Sequence, residues 1–254
     1  MKVKSASNEY FALAGKLSKI SQWSLWIAAC IVIVGMFVGN KVQTSAGWNT
    51  VLVLQALFLA AYSFLSLGSS LANFKARKIK INDVVDNAFG TEIGDTHSEN
   101  YFDNDEIKEG SRRLLYNTAE SCFFTFHEMK SMIGGVVAKT LVPLAVLVVG
   151  LILNRAEVIM AIFRITAVLL LIIQGVRFFI TISQLDRLLQ RMTDTLKHKI
   201  SSSTQFNAES INYALEYETL MVWYGVKIPD KVYYKINIEL TDKWNTMKSS
   251  FVIK

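Results

Sequence analysis

The sequence predicts an all-α integral membrane protein. Four transmembrane helices form two hairpins with both termini inside, and a cytoplasmic helical region is built from the middle insert and the C-terminal tail. Three observations carry this reading. Of 254 residues, 52% are hydrophobic and 19% charged, against about 25% charged in an average soluble domain. The apolar excess is gathered into long windows with few charges. Basic residues flank those windows on one side. The same composition, with two prolines and two cysteines, excludes a disordered chain, a collagen-like chain and a disulfide scaffold.

The windows come in chain order. Residues 20–40 and 42–74 hold no charge; residues 131–154 hold one, Lys139; residues 158–185 hold two, Arg164 and Arg177. A helix needs about 20 mainly apolar residues to cross the hydrocarbon, so spans are expected near 23–40, 48–71, 132–153 and 158–183. Lys2, Lys4, Lys16 and Lys19 precede the first span, and Lys75, Arg77, Lys78 and Lys80 follow the second. Arg112, Arg113 and Lys130 precede the third, and Arg187, Arg191, Lys197 and Lys199 follow the fourth. The two outer connections carry only Lys41 and Arg155. Positive residues remain on the cytoplasmic side, which places both termini and the middle loop there. These flanks account for the net charge of +6 without nucleic acid as a partner. No cleavage site of the secretory kind follows an apolar stretch of the usual length, so the first span is expected to be an uncleaved anchor.

Between and beyond the spans the expectations are as follows. Residues 1–22 form an amphipathic helix running into the first hairpin, 23–71, with Tyr10, Phe11, Leu13, Ala14, Leu17 and Ile20 at helical spacing. The cytoplasmic insert, 75–130, begins with loops over 81–110, where a short strand is the most structure expected. A helix then follows over 105–130 and continues into the second hairpin, 132–183. The tail, 184–254, extends the fourth span along Leu185, Leu188, Leu189, Met192, Leu196 and Ile200, an apolar stripe suited to packing on another cytoplasmic helix. A second tail helix covers 207–224 and ends at Gly225. A third opens at Pro229, since proline favours the first helical turn, and runs to about residue 248.

Few residues point to chemistry. No nucleophile elbow, zinc-protease helix, P-loop or dinucleotide fingerprint occurs, and neither an enzyme nor a resident cofactor is expected. His97, His127 and His198 are too scattered for a metal motif. The run Asp103-Asn104-Asp105-Glu106 suggests calcium, but Lys108 and Leu114 stand where an EF-hand loop needs glycine and glutamate; a solvated acidic loop is the better account. Cys30 and Cys122 lie in different environments and are not expected to pair. The intramembrane cations Lys139, Arg164 and Arg177 have no carboxylate within the spans. Such groups mark ion paths or reach out to lipid phosphates. At 1.5 Å per residue each lies about 10–13 Å from a flanking charge, within reach of an interface. Lys139 and Arg177 share a leaflet and make the better pore pair, which would favour anions or repel cations. Pro143 frees the carbonyl of Lys139 and, with Gly134, Gly135 and Gly150, gives the third span a place to bend during gating; simple packing is the plainer alternative. Gly35 and Gly39 form a close-packing motif in the first span. Four helices alone rarely leave an open water path, so a pore calls for a homo-oligomer. Arg112, Arg113 and Tyr116, with Tyr101 and Phe102 upstream, supply basic and aromatic groups able to pair phosphates and stack bases; as flank charges and core aromatics they also have a plain account.

The layout resembles the bacterial SMODS-associated four-transmembrane effectors of CBASS- and Pycsar-type anti-phage defence, over nearly the whole chain. The residues that carry the resemblance are Asn8-Glu9-Tyr10-Phe11-Ala12-Leu13-Ala14 before the first hairpin, the basic exit Lys75-Ala76-Arg77-Lys78-Ile79-Lys80, the insert around Val85-Asp86-Asn87-Ala88-Phe89-Gly90-Thr91-Glu92, and Val226-Lys227-Ile228-Pro229-Asp230-Lys231-Val232-Tyr233 near the end. In that last segment Ile228 stands for the family's valine and Lys231 for its tryptophan, and Thr96-His97-Ser98-Glu99-Asn100 replaces its Pro-Trp-Asn. The resemblance implies a pore-forming effector. A cyclic nucleotide from a partner nucleotidyl cyclase or cGAS-like synthase would bind the cytoplasmic part, open or oligomerise the protein, and depolarise the inner membrane, so that growth stops. It assigns no residue a role. A constitutive small-ion channel or transporter, and a membrane-anchored scaffold for a cytoplasmic protein, remain the alternatives.

Overall fold

The computed structural model describes residues 7–37, 46–94, 104, 106–153, 158–198, 202–225, 228 and 230–251. Among the described residues six helices follow one another: α1 (Asn8–Phe37), α2 (Ala46–Phe89), α3 (Ser111–Leu153), α4 (Val158–Lys197), α5 (Ser203–Tyr224) and α6 (Asp230–Lys248). No strand occurs among the described residues. Two stretches, Thr50–Phe89 in α2 and Val168–Lys197 in α4, are long and apolar enough to cross a membrane by length and composition. The first helix is continuous through the junction expected near residue 22, and α3 runs unbroken from the insert through Gly134, Gly135 and Pro143.

The expected loop over 81–110 needs correction at its start. Helix α2 continues to Phe89, because Val84 and Ala88 keep helical spacing and are buried on Leu114. Gly90, at φ 65°, then ends it in the left-handed region where a Cβ is unfavourable. The acidic character of this segment is spent locally. Asp86 accepts from the Thr91 hydroxyl at 2.8 Å and from the backbone N–H groups of Ile93 and Gly94 at 2.8 and 2.9 Å. The next helix begins at Ser111 and not near 105. Its approach is a turn held by Ile107 N–H to Asn104 O, 3.0 Å, and by Gly110 N–H to Ala88 O, 2.6 Å. In the tail, Ser202 caps α5 by accepting from Gln205 N–H, and Gly225, at φ 67°, ends it. Helix α6 begins at Asp230; Pro229 lies outside the described residues.

The chain divides into two compact units. One comprises Gly15–Ser70 and Ile133–Phe178. In it the four helices run alternately in opposite directions. Leu17 meets Gly68 while Ser21 donates to Tyr62 O at 3.4 Å, so α1 and α2 are antiparallel. Gln22 meets Gln174 while Leu25 packs on Leu171, so α1 and α4 are antiparallel. Thr140 lies against Gly175 while Leu144 packs on Val168, so α3 and α4 are antiparallel. Large apolar side chains cover the outside: Trp23, Leu57, Phe64, Leu141, Val142, Leu169 and Val176 are all exposed.

The other unit comprises Met1–Ala14, Leu71–Met132 and Phe179–Lys254. Its core is an ordinary helical one. Leu185, Leu188, Met192 and Leu196 of the tail stripe are buried, as their spacing predicts; Ile200 lies outside the described residues. Helix α5 attaches through buried hydroxyls, Thr195 to Tyr213 at 3.1 Å and Thr125 to Tyr217 at 3.0 Å. The C-terminal segment attaches through rings: Phe123 to Trp244 at 5.5 Å and Tyr116 to Phe251 at 5.5 Å.

Candidate functional site

Three of the residues expected to touch a ligand, Arg112, Arg113 and Tyr116, lie within the first two turns of α3. Arg112 lies with its guanidinium 5.4 Å from the centre of the Phe206 ring. Arg113 donates to the carbonyls of Ile107 at 2.7 Å and Asn87 at 3.1 Å, which pins the 104–110 turn to the end of α2. Tyr116 is fully buried against Phe251, and its hydroxyl has no hydrogen-bond partner among the described residues. Burial holds that phenol above its ordinary pKa. It has no surface to offer a ligand in this conformation. Tyr101 and Phe102 lie outside the described residues. Among the three described residues, Arg112 presents a half-buried cation over an aromatic ring.

Beside these, the same unit contains a chain of buried amides that composition gave no reason to single out. Asn117 donates to Asn87 Oδ1 at 2.7 Å, and Asn104 donates to Asn117 Oδ1 at 2.9 Å and to Glu120 Oε2 at 2.8 Å. Asn104 and Asn117 are essentially inaccessible to solvent. Glu106 pairs with Lys248, which holds its carboxyl below the ordinary range. Arg77 is buried near Glu218, 3.6 Å away, and over the Phe11 ring at 5.4 Å. Burial of Tyr217 beside this pair raises its phenol. Among the described residues no group of three metal-ligating side chains occurs.

In the four-helix unit the expected pore residues separate. Lys139 and Arg177 are both exposed. Thr140 lies against Gly175, and Gln174 against Gln22, so Lys139, Arg177 and Lys19 stand within about a turn of one level, on three different helices. All three point away from the interior. Pro143 is buried in an uninterrupted helix. Gly134 and Gly135 have open space where a Cβ would be. Helix α4 includes Arg164, of whose side chain nothing is described, and Gly39 lies outside the described residues.

Beside the buried Leu25, Val168, Leu171 and Phe178, the interior holds a set of uncharged polar groups. Gln22 donates to Gln174 Oε1 at 3.1 Å, and Gln174 donates to the Tyr62 hydroxyl at 2.8 Å, so one hydrogen-bonded chain joins α1, α4 and α2. Ser21, Ser24, Gln55 and Ser69 are buried. Gln55 is 3% exposed and its amide nitrogen has no partner among the described residues. The spans were located by scarcity of charge, and that measure passes over amides and hydroxyls. A signal was available: Gln55, Tyr62 and Ser69 recur every seven residues, which keeps them on one face of α2.

No family model matches the chain. No curated protein and no solved structure matches it either.

Proposed function

We propose that the chain is a four-span membrane effector of bacterial anti-phage defence, gated by a cyclic nucleotide. On binding the nucleotide at its cytoplasmic unit it opens a path across the inner membrane and arrests growth. The observation that carries the membrane part is the four-helix unit itself. Its outer faces are apolar, its interior holds the amides, and Lys19, Lys139 and Arg177 ring one level. An apolar surface of this extent is unsuited to water, whereas a bilayer requires it. From Lys19 to the end of α1 is about 27 Å and from Arg177 to the start of α4 about 29 Å, close to the hydrocarbon thickness. The cations then sit at the inner boundary, where snorkelling side chains meet lipid phosphates. The gating and defence parts rest on the resemblance in the N-terminal, basic-exit and Ile228-Pro229-Asp230 segments.

The experiment is release of an imposed proton gradient from liposomes carrying the full chain, with and without a panel of cyclic mono-, di- and trinucleotides. Release switched on by one nucleotide is the expected result and identifies the ligand. Release without any nucleotide supports the constitutive channel. Silence throughout, from protein shown to be inserted and helical, supports the scaffold. One observation favours that last reading: Tyr234 and Ile238, one turn apart on α6, are 77% and 81% exposed, an apolar spot free to meet another protein.

A further inference from the structure

The three-residue step that leads from the amide chain goes the same way on three helices. Gln22, Tyr62 and Gln174 form one polar layer. Three residues along α1, and three back along α2 and α4, lie Leu25, Leu59 and Leu171, which pack together; Leu25 and Leu171 are almost wholly buried. Four residues further back on α2 is Gln55, buried and with an unpartnered donor. Because α1 is antiparallel to α2 and α4, these are successive levels of one interior: polar, apolar, polar, each about 5 Å apart.

We propose that the interior of the four-helix unit is a water-and-proton path, closed by the Leu25–Leu59–Leu171 layer. The inference rests on the pore reading and states where the path runs and what passes. Buried polar groups in a membrane bundle face a cavity or one another, and a buried amide donor without a protein acceptor is ordinarily met by water. Glutamine amides and serine and tyrosine hydroxyls both donate and accept, so they support a hydrogen-bonded water file. The interior of four packed helices has no width for a hydrated ion or a dye. A constriction of three leucines excludes that water file by dewetting. Separation of α1 from α4 would break the Gln22–Gln174 bond, admit water past the leucines and give Gln55 its acceptor. On this account Lys139 and Arg177, on the outside, take no part in conduction.

The test uses the full chain in liposomes with a trapped pH indicator, a potassium gradient and valinomycin, and in parallel with trapped calcein. Leu171→Asn and Leu25→Ser are expected to raise proton entry at least about tenfold without any nucleotide, with calcein retained, because a polar group at the layer removes the dewetted barrier. Leu59→Ser, at a half-buried position where repacking is easier, must do the same. Leu169→Asn, on the exposed face of α4, is expected to leave the vesicles tight. Adding Gln55→Leu to Leu171→Asn should bring the leak back towards wild type. The proposal is overturned if gate variants shown to be inserted and helical stay tight, if Leu169→Asn leaks equally, or if calcein escapes with the protons, which puts the path between chains. Wild type opened by a nucleotide while the gate variants stay tight refutes this path and leaves the effector reading. Leaky gate variants with a wild type deaf to every nucleotide support the path and refute the gating.

Discussion

Cys122 illustrates how single side chains set the chemistry of the unit that holds the insert and the tail. Its thiol is buried and donates to Leu185 O at 3.6 Å, and burial pushes its pKa far above the ordinary range. The thiolate is the reactive form, so maleimide should fail to label Cys122 in the folded protein and label it promptly in denaturant. Because the folded pKa is the higher one, stability from this group is complete below the ordinary thiol pKa of about 8.5 and falls as pH rises beyond it. Labelling of folded protein at neutral pH would contradict the packing of α3 on α4. Asn117 offers a second test. It joins Asn87 to Asn104 from a fully buried position, and Asn117→Ala leaves the buried Asn104 and the half-buried Asn87 each short of a partner. A loss of about 1–3 kcal/mol is expected in denaturant melts. The Glu106–Lys248 pair is half exposed on the glutamate side, so Glu106→Gln should cost under about 1 kcal/mol at pH 7. Its depressed carboxyl means that this small contribution disappears only as pH falls below the ordinary carboxylate range.

At the scale of elements, α3 and α4 approach closely at Gly175. A Cβ on Gly175 would stand 2.6 Å from Thr140 Oγ1, a hydroxyl already bonded to Val136 O at 2.9 Å. Gly175→Ala should therefore destabilise the bundle by about 1–3 kcal/mol through overpacking, and Thr140→Ala should restore it. Thermal melts in detergent of both single variants and the double variant check this; equal loss in the single and the double variant would refute it. The helices themselves were largely legible. Apolar spacing and the Gly225 stop located the tail helices, and the insert helix continues into the following apolar window as expected, through Gly134, Gly135 and Pro143. The end of α2 was not legible, because Asp83 and Asp86 read as solvated loop when counted by charge. Both are buried, and Asp86 holds the turn beyond Gly90. Composition records that a carboxylate is present but not that three donors will surround it.

For the whole molecule, the position of the basic side chains is the property that sequence and structure address together. If Lys139 and Arg177 meet lipid phosphates, Lys139→Gln and Arg177→Gln should leave the reversal potential in planar bilayers unchanged, whereas pore-lining cations would shift it. Arg177→Glu should instead reduce insertion, read by protease protection, since a carboxylate there is repelled by anionic lipid. The surroundings of the expected ligand residues were less legible than the helices: an arginine stacked on Phe206 and an arginine bonded to two carbonyls look identical in a sequence. The interior amides went unread because only their convergence, from windows far apart in the chain, gives them meaning. That distance has a consequence for biosynthesis. Tyr62 and the Gln174 that completes its bonding are 112 residues apart. At about 5–20 residues per second, the ribosome needs roughly 6–22 s to deliver the second after the first. On the proposed four-span reading, the leading hairpin resides in lipid for that interval with its amide and phenol lacking their final partner, so assembly waits on translation, and a chain stalled before its last span would expose an unfinished polar seam to membrane proteases.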